Sequence, residues 1–278
     1  MAEAELTQHE VYRALAARER DASNRAALER IAADERRHAE FLAGQVDRPV
    51  RARRLTVWRY RLLARVCGLT FAIRLMERGE GDAQDAYAAM AADVPEAASI
   101  AADEARHEAE LVGMLDEERL RYVGSVVLGL SDALVELTGA LAGLTLALRQ
   151  GRLIAAIGLI TGVAAAMSMA ASEYLSTRAE PDGAKRPGRS AAYTGGAYFV
   201  TVAILIAPFL LVGEPLAALG LTVAAALAII LSFTYYVSVA QELPFWRRFG
   251  EMAALSLGVA AASFGIGYAV RVIFAVDV

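Results

Sequence analysis

The 278-residue chain carries 28 Lys+Arg against 32 Asp+Glu, and a net charge of -4 gives no basis for nucleic-acid binding. Its single cysteine, Cys67, excludes an intrachain disulfide framework. Charge is unevenly spread: residues 1–122 hold 19 of the basic and 23 of the acidic residues, leaving 9 and 9 for residues 123–278, and the mean hydropathy of +0.38 is high for a water-soluble protein.

This asymmetry predicts two domains with a boundary near Tyr122; both read as all-α, a charged helical bundle over residues 1–118 and a membrane domain over 119–278. The opening residues, MAEAELTQHE, are acidic and polar with no apolar core, so membrane insertion is expected to rest on the later apolar segments. A first helical hairpin is read around the turn RDASN. Its second helix contains IAADERRHAEFL (31–42), and IAADEARHEAEL recurs at 100–111 in a second hairpin that turns at ADVPEA. The chain has three histidines, His9, His38 and His107, and the two repeats use two of them.

In each repeat the Glu and His fall in phase with the apolar positions: Leu28, Ile31, Glu35, His38 and Leu42 in one, Ile100, Glu104, His107 and Leu111 in the other. Carboxylates and imidazoles on the core-facing stripe of a bundle helix are costly to bury, and a pair of divalent metals compensates them. Two Glu-x-x-His helices with a glutamate from each of two partner helices is the donor set of a di-metal carboxylate bundle. Level with Glu104 across the second hairpin lie Glu80 and, one turn away, Glu77. Level with Glu35 across the first lies Gln8, so Glu5, one turn off on the same stripe, is chosen over the solvated alternatives Glu10 and Glu19. Tyr12 and Tyr87 read as core residues with hydrogen-bonded hydroxyls, and His9 as exposed. Between the hairpins, RPVRARRLTVWRYRLLAR is basic, aromatic and amphipathic; it fits anionic headgroups and equally fits a solvated helix face.

Beyond Tyr122 five stretches have bilayer length, at about 123–148, 153–176, 193–213, 216–240 and 253–274. Lys and Arg concentrate in the second-to-third connection (Arg178, Lys185, Arg186, Arg189) and the fourth-to-fifth (Arg247, Arg248), which places those loops and the N-terminal domain in the cytosol and the C-terminus on the opposite side. Arg271 would snorkel or meet Asp277. Within the first two spans Asp132 and Glu136, and Met169 and Glu173, are four apart and so share a helix face, and together they form a ladder leading inward from the cytosolic end. Carboxylates with a thioether suit a transition metal such as Fe(II). The small-residue pairs Gly139/Gly143 and Gly158/Gly162 allow close helix contact within one chain or between two.

The segments VVLGLSDALVELTGALAGL and SMAASEYLS resemble the first two membrane helices of the vacuolar iron transporter family, and the doubled Glu-x-x-His helices resemble a rubrerythrin or ferritin-like domain. The whole chain is similar to fusions of the two. The resemblance implies a ferritin-like four-helix bundle followed by a five-helix membrane domain, with Asp132 and Met169 on the ion pathway. It implies a homodimer of the cell inner membrane that exports Fe(II), with Mn(II) as a second candidate, in exchange for protons. Bundle metal ligands would be Glu5, Glu35, His38, Glu77, Glu80, Glu104 and His107; the transport pathway would be Asp132, Glu136, Met169 and Glu173. A glutamate-rich insert known from plant members is replaced here by STRAEPDGAKRPGRS, so metal capture would fall to the bundle. The competing reading is an enzyme, a membrane-anchored di-iron oxidase or peroxidase whose bundle cycles Fe(II)/Fe(III) with ferroxidase activity.

Overall fold

The computed structural model describes residues 1–45, 49–78, 95–113, 122–148, 150–180 and 185–274. Among these, ten helices and no strands occur, and the chain divides into two compact units, Met1–Glu117 and Glu118–Val278. Glu80, Tyr87, Arg149 and Asp277 lie outside the described residues.

The first unit contains α1 (Ala2–Ala16), α2 (Ala22–Ala43), α3 (Arg54–Cys67), α4 (Leu69–Glu77) and α5 (Pro95–Gly113). Helix α2 starts where it does because the Asp21 carboxylate accepts from the backbone N–H groups of Ser23 and Asn24, both at 2.9 Å, which satisfies two of the donors left over at a helix start. Gly68, at φ 100°, sits in a region closed to most L residues and breaks the chain between α3 and α4. Val11, Tyr12 and Leu15 of α1, Leu28 and Ile31 of α2, Ile73 and Met76 of α4 and Leu111 of α5 form one buried core.

The second unit contains α6 (Val123–Leu148), α7 (Gly151–Ala179), α8 (Pro187–Leu211), α9 (Pro215–Ala240) and α10 (Phe245–Phe274). All five are long and apolar enough to cross a membrane. The helices of α8 and α10 begin six and eight residues before the expected spans, at Pro187 and Phe245 rather than 193 and 253. Loss of apolarity marks where the hydrocarbon ends, whereas the backbone ladder continues into the headgroup layer because its hydrogen bonds are internal to the helix. Pro187 at the first turn costs nothing there, since its missing N–H would have had no helical partner.

Glycines set the helix spacing in this unit. A Cβ on Gly129 of α6 would collide with the Thr194 carbonyl oxygen of α8, and one on Gly267 of α10 would collide with the Gly143 carbonyl oxygen of α6. Gly158 and Gly162 of α7 receive the side chains of Leu141, Ile206 and Val202. Both small-residue pairs singled out in the sequence are therefore used for packing inside one chain. Gly267→Ala is expected to push α10 off α6 and lower the stability of the detergent-solubilised protein by about 1–3 kcal/mol, as overpacking does. Gly258→Ala, where an added Cβ has nothing within 4 Å, should be neutral or mildly stabilising in the same thermal unfolding assay.

Candidate metal sites

The two repeats meet inside the first unit. Glu35 and His38 come from α2, Glu104 and His107 from α5, and Glu5 from α1; one ligand atom from each of Glu5, Glu35, His38 and Glu104 lies within 4.8 Å of the others. His38 Nδ1 is 3.8 Å from Glu5 Oε2, 3.9 Å from Glu35 Oε2 and 3.4 Å from Glu104 Oε1. The second oxygens of the same two helix carboxylates turn the other way: His107 Nδ1 is 3.4 Å from Glu35 Oε1 and 3.9 Å from Glu104 Oε2. Glu35 and Glu104 are thus shared between two imidazoles whose ring centres are 6.1 Å apart.

Glu5 reaches the cluster because the first hairpin turns earlier than the RDASN reading supposes. Helix α1 ends at Ala16 and α2 begins at Ala22, which centres the turn near residue 19 and moves the level opposite Glu35 from Gln8 toward the first turns of α1, which carry Glu5. Glu10 instead pairs with Arg13 at 3.1 Å, and Glu19 accepts from the Asp21 N–H at 2.8 Å. His9, expected to be exposed, is half-buried, its Nδ1 2.6 Å from the Ala32 carbonyl. Tyr12 is buried and its hydroxyl donates to Glu77 Oε1 at 2.9 Å. Burial pushes the Glu77 carboxyl up to about 6, and the Glu104 and Glu108 charges add to this against the Tyr12 hydrogen bond.

Four residues of the repeat that sequence reasoning passed over complete the arrangement. His38 Nε2 lies 3.2 Å from Asp103, and His107 Nε2 lies 3.0 Å from Asp34, so the residue before each glutamate holds the histidine of the other helix. With Nε2 donating to a carboxylate, Nδ1 is the atom turned toward the cluster. Arg106 bridges Asp34 at 2.8 Å and Asp103 at 2.7 Å, while Arg37 bridges Asp34 at 2.7 Å and Asp103 at 3.5 Å. Burial opposes ionisation of Asp103, and the His38 hydrogen bond with the Arg106 charge outweighs it, holding the carboxyl below its usual range. The signal was present: Asp and Arg are the remaining shared polar letters of IAADE-x-R-H.

The residues fit divalent metal. The Nδ1 atoms of His38 and His107 are buried and make no hydrogen bond among the described residues, and each faces carboxylate oxygens at separations long for a hydrogen bond. Imidazole nitrogens with carboxylate oxygens are the donors of first-row divalent ions.

In the second unit the polar groups of α6, α7 and α8 meet at two depths. Ser125 Oγ donates to Glu173 Oε1 at 2.6 Å and lies 3.4 Å from Ser190 Oγ, and the Thr194 hydroxyl donates to the Ser125 carbonyl at 2.9 Å. About 16 Å further along α6, by its rise per residue, the Tyr198 hydroxyl donates to Glu136 Oε2 at 2.8 Å. Asp132 is half-buried between these levels, and Met169 is half-buried against the apolar core. Glu136 is exposed, at the edge of a cavity of about 450 Å³ that also borders Tyr198, Gly143 and Gly267. The sequence reading missed Ser125, Ser190 and Tyr198, which lie on α6 and α8 and carry no motif of their own.

Residues 123–186, which span α6 and α7, match the model of the VIT family. This match and the five apolar helices support a membrane domain of the VIT kind, the setting of a membrane metal-ion transporter. No curated protein matches the chain.

The cluster makes one titration measurable, because the chain has only three histidines. Burial lowers the affinity of His38 for its second proton, but the surrounding carboxylates of Glu104, Glu5 and Asp103 overcome it and push the group up to about 10. Since that value lies above the ordinary 6.5, the charge stabilises the metal-free bundle fully below pH 6.5, and the contribution is lost as pH rises toward 10. In ¹⁵N-histidine spectra of the chelator-treated full chain at pH 8, His38 should carry both ring protons, and Zn(II) should displace the one on Nδ1. A His38 ring that is neutral at pH 8 before metal is added would contradict this geometry.

Proposed function

We propose that the protein is a membrane transporter that moves Fe(II), with Mn(II) as a second cargo, out of the cytosol, and that the N-terminal bundle captures the ion. The carrying observation is the succession of carboxylates at two depths, Glu173 of α7 with Ser125 and Ser190 at one end and Glu136 of α6 with Tyr198 further in, both carboxylates falling within the segment that matches the VIT family. Carboxylates inside a membrane are costly unless they serve an ion or a proton path.

In this reading Glu173 admits the cation from the cytosolic end, Met169 and Asp132 hold it at the next level, and Glu136 receives it deeper. Each carboxylate gives up a proton when the cation arrives and regains one when it leaves, which couples outward metal movement to inward proton movement. Ser125 and Tyr198 orient Glu173 and Glu136 by hydrogen bonding, so the lone pairs not engaged by the hydroxyls remain for the ion. The ends of α7, α8 and α10 that carry Arg178, Lys185, Arg186, Arg189, Arg247 and Arg248 are assigned to the cytosolic side by their positive charge. An exposed Glu136 at mid-span is expensive against lipid, so a second copy is assigned to that face, making the transporter a homodimer.

The bundle is read as ferritin-like, with Glu5, His38 and the shared Glu35 and Glu104 holding one ion and His107 and Glu77 completing a second position; Glu80 is a further ligand for that position. Four carboxylates, Glu5, Glu35, Glu77 and Glu104, with two neutral imidazoles balance the charge of two divalent ions. An iron pair held there would supply oxidation of Fe(II) by oxygen or peroxide, and the sharing of Glu35 and Glu104 between two imidazoles favours this second reading of the bundle, in which the spans only anchor it.

Proteoliposomes loaded with a metal indicator and a pH indicator separate the two. Asp132→Ala and Met169→Ala are each expected to reduce Fe(II) flux at least about tenfold and to abolish the coupled pH change, the loss expected for removing one strong ligand. Undiminished flux in both variants would remove the pathway assignment, and absent flux with steady oxygen consumption would favour the enzyme. Replacing His38 and His107 together by Ala should raise the Fe(II) concentration needed for half-maximal flux by about 10- to 100-fold while leaving the maximal rate near that of the parent protein.

A further inference from the structure

Helix α3 presents two apolar faces, of which the bundle uses one. Val57, Leu63 and Ala64 pack against the core with Tyr60. On the far side Leu55 is 77 %, Trp58 60 %, Leu62 43 % and Val66 67 % exposed, and at 3.6 residues per turn these four fall within about 80° of arc. A continuous stripe of this kind on a water-facing helix marks an interaction surface rather than scatter.

Its surroundings specify the partner. Arg54, Arg61 and Arg65 flank the stripe on one side and Arg59 on the other, all exposed. Between Asp47 and Glu77 the chain has eight arginines and no acidic residue. Among the described residues, Arg51, Arg54, Arg61 and Arg65 make no ion pair. Beside Trp58, a groove of about 950 Å³ between α1 and α3 is bordered by Arg51, Arg54, Arg61, Leu6 and Glu10, and that one acid is already paired with Arg13 at 3.1 Å. Arg53 is the exception in the run, at 3.8 Å from Glu3. A tryptophan and aliphatic stripe edged by unpaired guanidinium groups is complementary to a bilayer surface, with side chains at the acyl boundary and phosphates on the arginines. A protein partner would have to match this row of positive charge with acids of its own, whereas anionic headgroups supply it wherever the helix lies.

We propose that α3 is an interfacial helix by which the first unit docks on an anionic phospholipid surface, inserting Leu55, Trp58, Leu62 and Val66 and holding headgroup phosphate with Arg51, Arg54 and Arg61. The five apolar helices of the same chain keep that unit tethered near a bilayer, so a modest intrinsic affinity suffices.

The chain has two tryptophans, Trp58 and Trp246, so Trp246→Phe leaves Trp58 as the sole reporter. The full-length Trp246→Phe protein is reconstituted, with chelator present, into vesicles of phosphatidylcholine alone or with phosphatidylglycerol, each containing lipids spin-labelled near the headgroup. Docking predicts that Trp58 emission shifts to the blue and loses most of its intensity in the anionic vesicles, with markedly less effect in the neutral ones. Arg54→Gln with Arg61→Gln should lower the docked fraction by about fivefold per arginine and restore the emission. Emission that stays red and fully open to iodide in both vesicles overturns the proposal. Shielding from iodide without quenching by the labelled lipids also overturns it, since a second copy or another protein surface would then cover the stripe. Equal quenching in neutral and anionic vesicles overturns the headgroup assignment.

Discussion

Burial of ionisable groups on the core face of α2 and α5 is the constraint around which the first unit is organised. Glu35, His38 and His107 are all but inaccessible, and Glu104 is nearly so. Each would be destabilising there alone. The repeat answers this reciprocally: Asp34 holds His107, Asp103 holds His38, and Arg37 and Arg106 each contact both aspartates. The outward-turned Nε2 nitrogens are satisfied, while the Nδ1 atoms face the shared carboxylates. A site made this way is stiff before any ion arrives, because imidazole orientation is fixed from behind.

The second unit handles polarity differently. Its span carboxylates are not gathered in one cluster but strung along α6 and α7, and two of them are held by a hydroxyl from a neighbouring helix: Ser125 for Glu173, Tyr198 for Glu136. Weakly partnered carboxylates at successive depths are suited to handing on a cation, whereas the convergent donors of the bundle are suited to retaining one. Close crossings at Gly129 and Gly143 bring α8 and α10 against α6 and so decide which groups can reach those carboxylates.

Much of the candidate site was legible in the sequence because the phase of Glu and His against the apolar stripe follows from helix geometry alone. Spans were legible for a similar reason, since bilayer thickness converts directly into residue number. Choosing between Glu5 and its neighbours was harder. Residue level across a hairpin depends on where the turn is centred, and a shift of a few residues moves the answer by one helical turn; Asp21 capping α2 puts the centre at 19. The helix starts at Pro187 and Phe245 were missed because hydropathy follows the solvent and helix ends follow the backbone.

By itself the sequence determined the periodicities: five apolar lengths, two in-phase Glu-x-x-His helices, and an arginine-rich amphipathic stretch. These are properties of single segments, fixed by rise and turn. Tertiary structure alone decided which side chains meet across segments. It paired Asp34 with His107 rather than with its own helix's histidine, and it placed Tyr198 against Glu136, 62 positions away. It also turned Leu55 and Trp58 outward while Tyr60 went in. Such contacts depend on helix rotation and crossing, which the packing of all the side chains sets jointly and no local pattern encodes.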